Sequence, residues 1–250
     1  RGGRDITGDE RALLDVVVAL LLRREGELPV HDAVSATRRI AVREISADRA
    51  LVYEAPGTYY LNPFVGCMLA CPFCYAIHRA DFTRSLEGSP EAPWGRWVDV
   101  KTSLPAVLAR EVKTRRPGTV RMSPIITDPY QPIERRYRVT RGCLEAMAGT
   151  AFVPILLTRS SLVLRDLDVL ARCDSPMVGV SLTTNDSSVL AAFEPETEPA
   201  EARVETLKTL FQANIVTFAV VQPMLPLDPA RFVEQVAPWV RAVRIGPMFE

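Results

Sequence analysis

The sequence predicts an α/β protein, a partial (β/α)6 barrel of the TIM type with a short helical amino-terminal extension. Three observations predict it. After Gly57, short runs rich in β-branched residues alternate with longer helical patterns, which argues for a parallel sheet joined by crossover helices. The 250 residues can bury one large core, and an α/β barrel of this length needs no division. The residues that carry chemistry follow the ends of the predicted strands, where the loops of such barrels converge over one mouth.

Residues 1–55 are assigned to the extension and residues 56–250 to the barrel. A helix is expected to begin at Thr7-Gly8-Asp9-Glu10, capped by Thr7 or Asp9, and to run to Arg24 before Gly26 stops it. Its apolar run from Leu13 to Leu22 carries Asp15 and is too short to span a bilayer, so it reads as a buried helix and not as a membrane anchor. Residues 27–55 are mixed and charged. A short helix and a strand are expected there, with Arg38, Arg39 and Arg43 on a solvated face.

Six strands then follow: Thr58 to Asn62, Val120 to Ile126, Val153 to Leu157, Met177 to Leu182, Val216 to Val221 and Ala242 to Ile245. Between them lie helices at Leu104 to Arg115, Thr140 to Gly149, Ser161 to Cys173, Ser187 to Ala213 and Pro229 to Trp239. Pro195 and Pro199 interrupt the fourth, because proline lacks the backbone donor and clashes with the preceding turn.

Three of the five cysteines stand in one loop, Gly66-Cys67-Met68-Leu69-Ala70-Cys71-Pro72-Phe73-Cys74-Tyr75. Thiolates at this spacing suit a soft metal centre, which leaves iron-sulfur, zinc and copper(I) open. No fourth cysteine lies near enough in sequence to assign, and three ligands leave one iron of a [4Fe-4S] cube open to a small chelating ligand. The odd cysteine count fits a reducing cytoplasm better than a disulfide scaffold. Cys143 and Cys173 read as buried packing on helices. Lys+Arg and Asp+Glu balance at 30 each, so the basic excess of a non-specific phosphate binder is missing.

The cysteine loop resembles the cluster motif of radical S-adenosylmethionine (SAM) enzymes. Thr127-Asp128-Pro129-Tyr130-Gln131-Pro132-Ile133-Glu134, Leu157-Thr158-Arg159-Ser160-Ser161, Val180-Ser181-Leu182-Thr183-Thr184 and Phe193-Glu194-Pro195 resemble the spore photoproduct lyase-like branch, in order, across roughly residues 55 to 225. All but the last follow predicted strands on one rim.

The resemblance implies a [4Fe-4S] cluster on Cys67, Cys71 and Cys74, with SAM chelating the open iron and an electron donor such as flavodoxin or ferredoxin. It implies that Phe73 lies against the adenine, that Arg159 takes the SAM carboxylate, and that Asp128 with Thr127 accepts from the amine. Ser181, Thr183 and Thr184 are expected near the ribose or carboxylate, and Gln222 near the adenine edge. Tyr75 resembles the family tyrosine implicated in radical relay or hydrogen return; a role as acid or base for His78 is outweighed by a surface position, and the role of Lys101 is open.

Two features depart from the repair lyase. Its hydrogen-donating cysteine has no counterpart in Arg121-Met122-Ser123-Pro124-Ile125-Ile126-Thr127-Asp128, and the sequence ends at the sixth strand without room for a duplex-gripping hairpin. With the neutral charge these favour a small-molecule substrate over nucleic acid. A DNA-repair lyase with another hydrogen source and a non-catalytic zinc scaffold remain the alternatives.

Overall fold

The computed structural model describes residues 40–77, 92–122 and 126–247. Its contacts divide the chain into two units, residues 1–38 and 39–250, and every described residue lies in the second. The helix expected from Thr7 to Arg24, with Arg38, Arg39 and His78, lies outside the described residues.

The larger sheet has seven strands: β2 (Val52–Ala55), β3 (Thr58–Tyr60), β6 (Thr119–Met122), β7 (Val153–Thr158), β8 (Met177–Ser181), β9 (Val216–Val221) and β10 (Ala242–Ile245). From β3 to β10 the neighbours follow sequence order and pair in parallel, and β2 is antiparallel at the β3 edge. Among the described residues no pairing joins β10 to β2, so the sheet is open and a barrel is not seen. Residues 41–55, assigned by sequence to the extension, supply β2 to this sheet and β1 (Ala41–Ile45) to a second one.

That second sheet orders β1, β5 (Trp97–Lys101) and β4 (Phe64–Val65). Arg43 ties β1 to β5 by donating from Nε and Nη2 to the two carboxylate oxygens of Asp99, at 3.0 and 2.7 Å. It is thus an ion-paired residue and not simply part of a solvated face.

The β/α alternation has a direct physical cause. Val120, Leu156, Val178 and Ala219 on four adjacent parallel strands are fully buried, as a sheet covered by helices requires. The covering helices include α3 (Val139–Met147), with Cys143, Leu144 and Met147 inward, and α6 (Ala200–Gln212), with Leu207 and Leu210 inward. Helix α1 (Leu104–Glu111) is shorter than its sequence pattern, and a further short helix, α2 (Glu134–Tyr137), precedes α3.

Two expected helices are broken. Ser161 to Cys173 begins as a 3-10 turn at Ser161–Asp166, where Ser160 caps Leu162 N, and continues as α4 (Leu167–Leu170). Cys173 therefore lies beyond the helix, half-buried, with Sγ 3.5 Å from the Val169 carbonyl oxygen. Ser187 to Ala213 is α5 (Ser187–Phe193) and α6, separated by the stretch holding Pro195 and Pro199 as expected. Helix α7 (Pro229–Val236) leads to β10 through a 3-10 turn.

Candidate functional site

The first strand ends sooner than its sequence suggests. Pro63 interrupts the ladder, since it has no N–H to give, and the chain turns into β4 before reaching Gly66. Gly66 adopts a left-handed φ of +84°, and a Cβ there would stand 2.7 Å from the Trp97 carbonyl oxygen. Only glycine fits so close to β5, and from this point the cysteine loop leaves the sheet.

A buried amide fastens the loop to the end of β6. Gln131 accepts from Met68 N at 2.8 Å and donates from Nε2 to the Gly66 carbonyl and Thr127 Oγ1, at 3.1 and 2.7 Å. Thr127 Oγ1 itself donates to the Gly66 carbonyl at 2.7 Å. Gln131 is fully buried and belongs to a quoted motif, yet sequence reasoning gave it no role.

Asp128 joins the loops after β6 and β7. Its Oδ1 accepts from Tyr130 N and Thr158 Oγ1 at 2.8 and 2.7 Å, and its Oδ2 accepts from Arg159 N at 2.9 Å. A carboxylate offers about four acceptor sites, so three are spent on positioning the rim. Burial raises the Asp128 carboxyl above its ordinary range, against the pull of those donors.

Glu194 is the residue that sequence left off the rim and the structure puts on it. Its chain position is just past α5, but its fully buried side chain reaches the ends of β7 and β8. Oε1 accepts from Arg159 Nε at 3.2 Å and Thr183 Oγ1 at 2.9 Å, while Oε2 pairs with Arg203 Nη2 at 2.6 Å. Burial alone would raise this carboxyl, but the guanidiniums of Arg159 and Arg203 outweigh it and hold it down at about 2. The signal available in sequence was the Phe193-Glu194-Pro195 motif itself; its place in space depends on the turn that follows α5.

Cys67, Cys71 and Cys74 line one pocket with Trp94, Thr127, Asp128 and Arg159, enclosing about 300 Å³ of space, open solvent included. Burial is the chief cause that raises all three thiols, Cys71 to about 12, and the positive charge of Arg159 partly opposes it at Cys71 and Cys74. Metal coordination deprotonates such thiols outright. Among the described residues no three His, Cys, Asp or Glu side chains form a set that could hold a single metal ion.

Arg159 has 11% of its side chain exposed, and its Cζ lies 5.9 Å from the centroid of the Phe73 ring. With Nε spent on Glu194, its two Nη groups have no hydrogen-bond partner among the described residues. A planar cationic fork of this kind matches a carboxylate.

The other expected site residues divide. Thr183 reaches the Arg159 network through Glu194, whereas Thr184 Oγ1 donates to the Pro226 carbonyl at 2.6 Å and so ties the loop after β8 to the loop after β9. Ser181 is buried, and its carbonyl accepts from Arg203 Nη1 at 3.0 Å. Gln222 is half-buried at the end of β9, and Lys101 is half-buried at the end of β5. Tyr75 is 59% exposed and is not among the pocket-lining residues.

Structural comparison decides the fold. Spore photoproduct lyase complexed with dinucleoside spore photoproduct superposes with a TM-score of 0.56 at 17% identity, over 86% of this chain and 64% of that one. A mutant lyase with bound AdoMet and dinucleoside spore photoproduct gives 0.55 at 15% identity, over 86% and 63%. The fold is that of spore photoproduct lyase.

No family model matches the chain. An uncharacterized protein of Methanocaldococcus jannaschii is 33% identical over 175 residues, covering 69% of this chain and 63% of that protein. An uncharacterized protein of Acidianus two-tailed virus is 30% identical over 182 residues, covering 71% and 60%, and one of Mycobacterium bovis is 31% identical over 177 residues, covering 68% and 51%. The chain thus spans about half to just under two-thirds of the length of these curated relatives. Among the described residues no helix is long and apolar enough to cross a membrane.

Proposed function

We propose that this chain is a radical SAM enzyme of the spore photoproduct lyase-like branch, in which Cys67, Cys71 and Cys74 hold a [4Fe-4S] cluster beside the strand ends of the open parallel sheet. One observation carries the reading: three buried or half-buried thiols share a pocket with a guanidinium whose Nη groups are unspent. The donor set fits the cluster better than zinc. A structural zinc is normally closed by four protein ligands, whereas the three thiols of this pocket would leave one iron of a cube open.

When bound, cluster and SAM together supply one-electron cleavage of the sulfonium carbon-sulfur bond and hence a carbon radical. The chain's own residues bind and orient. Arg159, held through Nε by Glu194, presents its Nη groups to the SAM carboxylate, and Phe73 offers its ring to the adenine. Asp128 has about one acceptor site left for the amine after fixing the rim. Thr127 supports that acceptor, Ser181, Thr183 and Thr184 the ribose side, and Gln222 the adenine edge. Tyr75, which is exposed and follows Cys74, is assigned to radical relay or hydrogen return.

The substrate proposed is a small organic molecule, with flavodoxin or ferredoxin as reductant. The test is anaerobic reconstitution. About four irons and four sulfides per chain are expected, and dithionite should then yield 5′-deoxyadenosine and methionine from SAM. Cluster-loaded protein that makes neither sinks the reading, as does a stoichiometry of one zinc.

A DNA lesion is the second reading, favoured by the dinucleoside spore photoproduct bound to the solved lyases. Against it stand the zero net charge and the lack of a thiol from Arg121 to Asp128. Salt-sensitive binding of damaged duplex would support it.

A further inference from the structure

We infer that the indole N–H of Trp94 donates a hydrogen bond to a sulfur of the cluster and makes that cluster easier to reduce. The inference rests on the cluster assignment just proposed. Trp94 lines the pocket with Cys67, Cys71 and Cys74, and it packs against the buried group formed by Cys67, Leu69 and Cys71. Its Nε1 is buried and has no hydrogen-bond partner among the described residues. Tryptophan is a donor only, and a buried donor left without an acceptor calls for one that the described residues do not supply.

The ring is not at liberty to turn elsewhere. It stands edge-on to Trp97, with centroids 6.4 Å apart and planes at 82°, and Trp97 is itself 1% exposed and pressed on Gly66. Arg96 N donates to the Pro93 carbonyl at 3.0 Å and closes the turn that carries Trp94. Gly95, at φ +82°, lies so close to Ala70 that a Cβ would collide with it. The turn is therefore held on the cysteine loop by Gly95 and Trp97, both on the carboxyl side of Trp94.

The oxygen acceptors around this pocket are already committed in the main. Asp128 takes three donors, and Thr127 Oγ1 takes Gln131 Nε2. Sulfur is the acceptor chemistry that the three cysteines bring to this pocket, either a cysteine thiolate or an inorganic sulfide. Reduction adds one electron from the external donor and concentrates negative charge on those sulfurs, while the N–H proton stays on the indole. A hydrogen bond to sulfur therefore favours the reduced cluster, one of the recognised controls on cluster potential.

Trp94→Phe keeps an aromatic side chain, though a smaller one, and removes the donor. In anaerobically reconstituted wild type and variant, matched for iron and sulfide, an EPR-monitored redox titration without substrate reads the potential directly. The variant is expected to be about tenfold harder to reduce, a midpoint lower by about 59 mV for one electron. An unchanged potential in the fully loaded variant overturns the inference. Should Trp94→Phe fail to load, wild type labelled with 15N at the indole supplies the second readout: the reduced cluster should show 15N hyperfine coupling, and its absence overturns the inference equally. Wild type that takes up no cluster is a separate failure, of the assignment itself.

Discussion

At the scale of the residue, the site depends on two side chains that do no chemistry. Gln131 satisfies groups at both ends of one loop-to-loop seam, and a buried partner left unpaired costs about 1–3 kcal/mol. Gln131→Ala should therefore lower the stability of the metal-free protein by at least about 1–3 kcal/mol, seen as a lower urea midpoint with unchanged slope. Glu194 sits between Arg159 and Arg203, and its removal leaves buried cations uncompensated. Glu194→Gln is expected to cost about 3–5 kcal/mol, and to weaken SAM binding to cluster-loaded protein because Arg159 loses its anchor.

The same carboxylate sets a pH response. Its folded value of about 2 is below the ordinary 4.5, so the stability it contributes is present above about pH 4.5 and lost as pH falls toward 2. Wild type should lose stability through that window more steeply than Glu194→Gln. Parallel slopes in acid unfolding curves would remove the coupling from consideration.

At the scale of the element, the departure of the cysteine loop from β4 turns on backbone geometry. Gly66 and Gly149 share a left-handed φ, +84° and +72°, but only Gly66 faces another strand. Gly149→Ala meets open space and should cost only the conformational penalty of about 1–2 kcal/mol. Gly66→Ala must also displace Trp97, so it should cost more and reduce iron content per chain after reconstitution. Equal losses for the two variants would show that the contact with Trp97 is not what holds the loop.

The elements also explain how the rim was legible. Parallel strands buried on both faces give near-continuous apolar runs, so Val153–Thr158, Met177–Ser181 and Val216–Val221 stood out in the sequence within a residue of their observed ends. The two-residue strand Phe64–Val65 did not, because its pairing with Val100 and Asp99 is long-range and leaves no local period.

At the scale of the molecule, the open sheet brings loops from β6 and β7 to one pocket with the cysteine loop, and the loop after β8 joins them through Thr183 and Glu194. Binding that requires this assembly stabilises it by mass action. At SAM concentrations near 100 times Kd the gain is about 2.7 kcal/mol, or roughly 5–10 °C in Tm for a chain of this size. Cluster-loaded protein should show that rise and metal-free protein should not. A rise in both would place SAM away from the open iron.

The sequence by itself determined the alternation of strands and helices, the three-cysteine loop and the basic residue after β7. Each is written in local spacing or residue type, and local spacing survives without knowledge of the fold. Tertiary structure alone decided that Glu194 belongs to the Arg159 site, that Gln131 rather than a cofactor ligand fastens the loop, and that Trp94 brings an unspent donor to the thiols. Those three relations join residues 35, 63 and 20 to 27 positions apart in the chain. A hydrogen bond between such residues depends on how the sheet carries their backbones together, and no periodicity in the chain encodes that distance.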